Sequence, residues 1–402
     1  MIHNDLHEGR KLVKSLTMPD EKPNRKKEFF LNTVLVISSL VFTFLVLEFG
    51  MRFAVRYLVS GERQERYRSY LEAKNAKFEP HPFLSYALVK NYISKTGENK
   101  HNSFGLRGEE IAMPKPEGAF RIITLGGSTT YGTAVENWKE AYPAQMEKTL
   151  RETYGYKNVE VINGGTGGYT SAELLINFVF NLIELDPDMI IFSEAVNDTQ
   201  TRFVCPDDFK SDYTGTRESW NKPKYFFLYK SLVAQFIGYK TGLLPYPNLD
   251  QFIATSAVEM ARETTYIDPD QPDHNLCNKT RNEIIKENTS QYYERNIRNL
   301  IALAEANGIR VVLGTFGFDK TRGKGHYSIT KPYMDAISEN NDIIRKIGKE
   351  KNIPIVPFEE KVDEGYIPPT KEYWQNVHLT APGEKLKGEL FAKFLAENKL
   401  IK

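Results

Sequence analysis

The segment from Phe29 to Phe49, FFLNTVLVISSLVFTFLVLEF, constrains this chain more than any other stretch. It supplies the roughly 20 apolar residues that an α-helix needs to cross a hydrocarbon core about 30 Å thick, with one acid, Glu48, near its end. A core helix of a soluble domain would show a polar face, whereas the Ser and Thr residues here are scattered around the circumference. A cleaved signal peptide would have a shorter apolar region and an Ala-x-Ala-like site, and neither occurs before Glu48 and Arg52. Residues 29–49 therefore read as a transmembrane helix that stays as an anchor, making this a single-pass membrane protein.

Flanking charge does not orient the helix. Arg25, Lys26 and Lys27 precede it, and Arg52, Arg56, Arg63, Arg66 and Arg68 follow it. A short polar tail on one side, residues 1–28 with Pro19 and Pro23, and every catalytic candidate on the other side favour a disordered cytoplasmic tail and an extracytoplasmic remainder. Residues 60–75, GERQERYRSYLEAKNA, read as a solvated charged helix that lifts the globular part off the bilayer. They open a linker and lead-in, 60–118.

Beyond the lead-in the pattern alternates strand and helix. RIITLGG (121–127), VEVINGG (159–165), DMIIFSE (188–194), IRVVLGT (309–315) and IPIVPF (353–358) are short apolar runs. Between them AYPAQMEKTLRETY (141–154), SAELLINFVFNLIEL (171–185) and IRNLIALAEANG (297–308) have helical spacing. Strands joined by helices predict an α/β domain, 119–402, with a parallel central sheet covered on both faces. Residues 200–290 break the rhythm and read as an insertion or cap. Its aromatic stretch from Trp220 to Tyr246, with Tyr225, Phe226, Phe227 and Tyr229, is read as core of that cap, with stacking on sugars or holding acyl chains as the other use.

In such sheets ligands bind beyond the carboxyl ends of the strands. The first strand delivers Gly126-Gly127-Ser128-Thr129, a serine on a tight turn at a helix start. No Lys-Ser or Lys-Thr follows the glycines, which excludes a Walker loop. Thr130 stands where the second glycine of a Gly-x-Ser-x-Gly elbow belongs. The second strand leads to Gly164-Gly165-Thr166-Gly167-Gly168, where glycine lets a backbone N–H approach a reacting oxygen. The third leads to Glu194-Ala195-Val196-Asn197-Asp198, whose Asn197 amide can aim at the same point, and near the C-terminus His378 precedes a helix. Each residue alone has an ordinary structural reading as turn, cap or core; the joint pattern is what points to chemistry.

This order resembles the SGNH/GDSL hydrolase family, whose four signature residues fall on Ser128, Gly168, Asn197 and His378. HPFLSYALVKN (81–91), HNSFGLRGEE (101–110) and the span's ending LEFGMR are similar to a membrane-anchored branch among bacterial envelope and polysaccharide proteins. The resemblance implies a flavodoxin-like three-layer sandwich and an outward-facing serine esterase. It places Ser128 as nucleophile and His378 as base, with an oxyanion hole from the N–H groups of Ser128 and Gly168 and the Asn197 amide. The expected substrate is an ester, foremost an acetylated envelope glycan, which the enzyme deacetylates or, with a sugar hydroxyl as acceptor, acetylates.

Two positions depart from the family pattern: Ala195 replaces a glycine, and Gln375 replaces the Asp three residues before the histidine. Losing the carboxylate of a serine triad costs about 10⁴ in turnover elsewhere. The His378 ring would then be oriented by Gln375 itself, by Glu372 or Asp363, or by a backbone carbonyl in a Ser-His dyad. If nothing orients it, the chain is a glycan-binding or assembly protein on the same fold; a lipase or thioesterase is the further enzymatic reading. Fifty-three Lys and Arg against 52 Asp and Glu leave a net charge of +1, which gives nucleic acid nothing to follow. The seven histidines show no ligand spacing, so no metal or other cofactor is expected. Cys205 and Cys277 are too far apart for a CxxC motif, leaving one disulfide or two buried thiols.

Overall fold

Both neighbours of each central strand, and both faces of the sheet, must be apolar for a parallel sheet to be buried, and the strands of this chain meet that demand with short Ile- and Val-rich runs. The computed structural model describes residues 25–58, 77–79, 81–213, 231–243, 270–273, 276–321, 330–375 and 377–401. Two units are distinguished: residues 1–68 with 227–245, and residues 69–226 with 246–402.

The larger unit is built on a parallel sheet of β1 (Phe120–Leu125), β2 (Val159–Asn163), β3 (Met189–Phe192), β4 (Arg310–Gly314) and β5 (Ile355–Val356), in the order β2-β1-β3-β4-β5. This is the flavodoxin-like strand order, with its switch point beside β1. Register sets Ile122 opposite Val161 and Met189, and Ile191 opposite Val312. Because strand side chains alternate, Ile122 and Ile191 join Met146, Phe391 and Leu395 in the core on one face. Ile123, Ile190 and Phe192 join Leu174, Phe178, Ile297 and Ile301 on the other. Helices Tyr142–Glu152 and Ala381–Glu397 contribute to the first layer, and Ser171–Asn177 and Gln291–Ala306 to the second. The expected three-layer α/β sandwich is the architecture found.

Several elements differ from the sequence reading. The helix expected over 171–185 is α-helical only over Ser171–Asn177, then widens to a π-helical turn at Phe178–Leu182 and tightens at Ile183–Leu185. A 21-residue helix, Lys331–Lys351, was not legible because two asparagines interrupt its apolar stripe. Asn340 and Asn341 are fully buried and reach across to backbone: Asn340 Nδ2 donates to the Ala195 carbonyl (3.0 Å), and Asn341 bonds both N–H and C=O of Phe316. Part of the 60–118 lead-in is packed into the larger unit, where Asn99, His101 and Arg107 are buried.

The smaller unit contains the helix Arg25–Tyr57 and the helix Leu232–Thr241. The first, with 33 residues, is long and apolar enough to cross a membrane, and its side chains from Phe29 to Leu47 are exposed. It extends the expected 29–49 at both ends. Residues 1–24, the charged stretch 60–75 and the aromatics Trp220, Tyr225, Phe226, Phe227 and Tyr229 lie outside the described residues.

Cys205 and Cys277 form a disulfide across 72 residues of chain. Closing a loop of that length removes denatured-state entropy, so replacing both cysteines by serine is expected to lower stability by about 2–4 kcal/mol. Denaturant unfolding of the full chain in detergent, with and without reductant, measures this; a wild type indifferent to reductant would contradict it.

Candidate active site

The polypeptide leaves β1 through Gly126 and Gly127 and enters a single helical turn, Ser128–Tyr131, closed by Gly132 at φ 82°. Gly127 has no room for a side chain: a Cβ there would stand 2.4 Å from Asn197 Nδ2 and 2.5 Å from Glu194 Oε2. The missing side chain lets the end of β3 close against the serine turn.

His378 is brought to that turn by a two-residue hairpin, β6 (Trp374–Gln375) with β7 (His378–Leu379). Trp374 and Leu379 are buried in the core and fix the hairpin, which runs directly into the helix Ala381–Glu397. His378 Nε2 lies 2.8 Å from Ser128 Oγ, a hydrogen bond between residues 250 positions apart. That is the geometry a base needs to take a proton from a hydroxyl.

The loop after β2 completes the cluster. Gly168 adopts φ 76°, a left-handed conformation that glycine takes without strain, and a Cβ there would strike the Tyr86 hydroxyl. Tyr86 donates that hydroxyl to the Gly167 carbonyl, and the Tyr169 hydroxyl is donated to the Tyr86 carbonyl. Asn197 Nδ2 donates to the Tyr169 carbonyl at 2.8 Å, which fixes the amide and leaves its second N–H. The backbone N–H groups of Ser128 and Gly168 have no acceptor among the described residues.

Beneath these residues lies Glu194, 1% exposed. Its Oε2 accepts from Gly127 N (2.9 Å), and its Oε1 accepts from Ala195 N (3.1 Å) and Asn197 N (2.9 Å). One carboxylate thus ties the serine turn to the segment carrying Asn197. Burial raises its pKa to about 7, against the lowering effect of the three N–H bonds. Asp198, next in the chain after Asn197, binds Ser171 through its N–H (2.7 Å) and its hydroxyl, and accepts from the Tyr213 hydroxyl at 2.9 Å. Burial raises Asp198 to about 6.

The far end of the serine turn is held from the lead-in. Arg107 donates to the carbonyls of Tyr131 (2.6 Å), Gly132 (2.7 Å), Val135 (2.7 Å) and Glu136 (2.9 Å). His101 Nε2 meets the Tyr131 hydroxyl at 2.9 Å, and burial depresses its pKa to about 4.

The four signature positions lie on these converging segments. Gln375 and Glu372 do not reach the His378 ring. The Gln375 side chain is exposed while its backbone pairs with His378, and Glu372 offers its backbone carbonyl to the Thr380 hydroxyl. Asp363 is engaged with Lys320 at 2.9 Å. Among the described residues no group of three or more His, Cys, Asp or Glu side chains could hold a metal ion.

A sequence profile of the GDSL-like Lipase/Acylhydrolase family matches residues 124–386. The chain belongs to this family. As a GDSL-like family member it is an ester hydrolase by class. Among solved structures it is similar to a G-D-S-L family protein from Desulfitobacterium hafniense, at 15% identity, covering 68% of this chain and 99% of that one, TM-score 0.39. It is similar to a lipase/acylhydrolase from Enterococcus faecalis, at 15% identity with 70% and 97% covered, TM-score 0.41. It is also similar to an acetylxylan esterase from Geobacillus stearothermophilus, at 13% identity with 70% and 96% covered, TM-score 0.41. These likenesses add no weight to the family match. No curated protein matches the chain significantly.

Sequence reasoning missed Glu194, Asp198, Arg107 and Tyr86 as supports of this GDSL-like site. An acid at the end of an apolar strand was the available signal for Glu194. Because the native pKa values of Glu194 and Asp198 are raised, each binds its proton more tightly folded than unfolded. Their stabilising contribution is full below the unfolded values near 4 and is lost as pH rises through about 6 to 7. Glu194→Gln should therefore reduce the fall in unfolding free energy between pH 4.5 and 7.5 by about 2–3 kcal/mol, whatever its effect at one pH. Denaturant titrations at the two pH values test this; an unaltered slope would show that Glu194 stays ionised.

Proposed function

We propose that this GDSL-like protein is a membrane-anchored serine esterase that acts by acyl-enzyme chemistry on an acetylated glycan of the cell envelope. The observation that carries this reading is the 2.8 Å contact between Ser128 Oγ and His378 Nε2 at the end of the sheet where ligands bind.

His378 takes the hydroxyl proton as Ser128 Oγ attacks the ester carbonyl, and the tetrahedral adduct places its negative oxygen toward the N–H groups of Ser128 and Gly168 and the second N–H of Asn197. Collapse breaks the ester C–O bond, and the proton held by His378 passes to the departing alcohol. A second attack, with His378 again as base, releases the acyl group from Ser128. Water as nucleophile gives hydrolysis; a sugar hydroxyl gives transfer to a new acceptor. Glu194 keeps the donors in register, since its three bonds join the nucleophile turn to the Asn197 segment. With the Gln375 side chain exposed and Glu372 bonded to Thr380 through its backbone carbonyl, neither position supplies a carboxylate to the Ser128–His378 pair.

One feature supports a membrane anchor and another a location outside the cytoplasm. The helix Arg25–Tyr57 has the length and apolarity of a membrane span, and the Cys205–Cys277 disulfide suits an oxidising compartment.

Treatment of the full chain in detergent with a fluorophosphonate probe, followed by peptide mass spectrometry, should place the label on Ser128 alone. Ser128→Ala should abolish labelling, and His378→Ala should slow it by roughly 10³-fold or more. Asn197→Ala should lower kcat toward p-nitrophenyl acetate by about 10²-fold with KM little changed, as expected of a donor used in the transition state. A folded sample that takes no label would make the chain a glycan-binding protein on a hydrolase fold.

A further inference from the structure

We propose that the helix Leu232–Thr241, part of the insertion after β3, is itself seated in the lipid bilayer against the anchor helix. The proposal rests on the reading of Arg25–Tyr57 as a membrane span.

The link between the two helices is Glu48. An acid at the edge of a hydrocarbon layer is costly unless its charge and lone pairs are engaged. Glu48 is 8% exposed and fully engaged: it accepts from the backbone N–H groups of Leu232 and Val233 (both 3.1 Å), from the Ser231 hydroxyl (2.8 Å) and from Arg52 Nε (2.7 Å). A side chain of the anchor thereby caps a helix 183 positions further along. The cap satisfies N–H groups that no residue within the second helix can satisfy, and it sets a negative charge at the positive end of the helix dipole. The sequence reading noted Glu48 only as the one acid near the end of the apolar run.

The exposed surface of the second helix has the composition of a lipid contact. Leu232, Val233, Gln235 and Gly238 are buried, whereas Phe236 (43% exposed) and Ile237 (55%) on the helix, and Leu243 (59%) just past its end, are exposed. On the anchor, Leu45, Phe49 and Phe53, which flank Glu48 in sequence, are exposed apolar side chains as well. Arg52 and Arg56 follow the joint on the anchor, and Lys240 lies near the end of the second helix. That arrangement matches apolar side chains in the acyl region with cations at the level of phosphate headgroups. The occupant of this face is therefore a phospholipid bilayer, and the chain is held to it at two places in its sequence.

The test uses the full chain in nanodiscs of phosphatidylcholine and phosphatidylglycerol, with nitroxide labels on single cysteines at Leu40→Cys, Ile237→Cys and Lys393→Cys. The native cysteines are bonded to each other and do not take the label. Collision with oxygen, which concentrates in lipid, is compared with collision with a water-soluble nickel chelate. Leu40→Cys is expected to read as hydrocarbon and Lys393→Cys as water. Ile237→Cys should show oxygen access well above nickel access, at a shallower depth than Leu40→Cys. In a Glu48→Ala background the Leu40→Cys reading should persist while the Ile237→Cys reading shifts toward water. A lipid reading at Leu40→Cys with a water reading at Ile237→Cys overturns the proposal and leaves the span intact. A water reading at Leu40→Cys overturns the span, and an Ile237→Cys reading unmoved by Glu48→Ala overturns the part assigned to Glu48.

Discussion

Three backbone N–H groups converging on one buried carboxylate determine the shape of the candidate site. Gly127, Ala195 and Asn197 would each present an unpaired donor in a dry interior, and Glu194 satisfies all three. The cost of burying a carboxyl is offset only by bonds of this kind, which is why the group is pulled in opposite directions, upward by desolvation and downward by its donors. The geometry follows from that balance. With Gly127 and Asn197 fixed to the same side chain, Ser128 and the Asn197 amide are set a short distance apart on segments that leave different strands.

Other contacts serve the same end from further out. Asp198 draws the start of the helix Ser171–Asn177 toward the Asn197 segment, so the Gly168 loop cannot drift from it. Arg107 gathers four carbonyls behind the serine turn, as a guanidinium with five donors can and a lysine cannot. Tyr86 and Tyr169 close the loop on its other side, the Tyr86 hydroxyl donating to the Gly167 carbonyl and the Tyr169 hydroxyl to the Tyr86 carbonyl. The segment before the sheet is thus a structural part of the site. Polar supports of this density in a closed core hold a unique arrangement, because an alternative packing would strand buried donors.

Much of the fold was legible because burial on both faces leaves a direct mark on sequence. Strands such as RIITL and MIIF can be apolar throughout only if helices cover both sides of the sheet, and their spacing gave its parallel character. The same logic failed where polar residues are buried for specific partners. The helix Lys331–Lys351 was missed since Asn340 and Asn341 break its stripe, although both are bonded to backbone inside the core. Glu48 likewise showed in the sequence only as one acid near the end of an apolar run, and its partners Ser231, Leu232 and Val233 lie 183 or more positions away.

The sequence by itself determined which residue types stand at the ends of the strands: a serine on a glycine turn, a glycine-rich loop, an asparagine and a histidine, in an order shared with the GDSL-like family. It also determined that an apolar helix long enough for a membrane precedes them. The tertiary structure alone decided that Ser128 and His378 meet at 2.8 Å, that Gln375 faces outward, and that Glu194 and Arg107 hold the turn. The physical reason is that periodicity records burial, which is a property of one segment. A hydrogen bond is a property of two, and a carboxylate in a sequence looks the same whether it will face water or three converging amides.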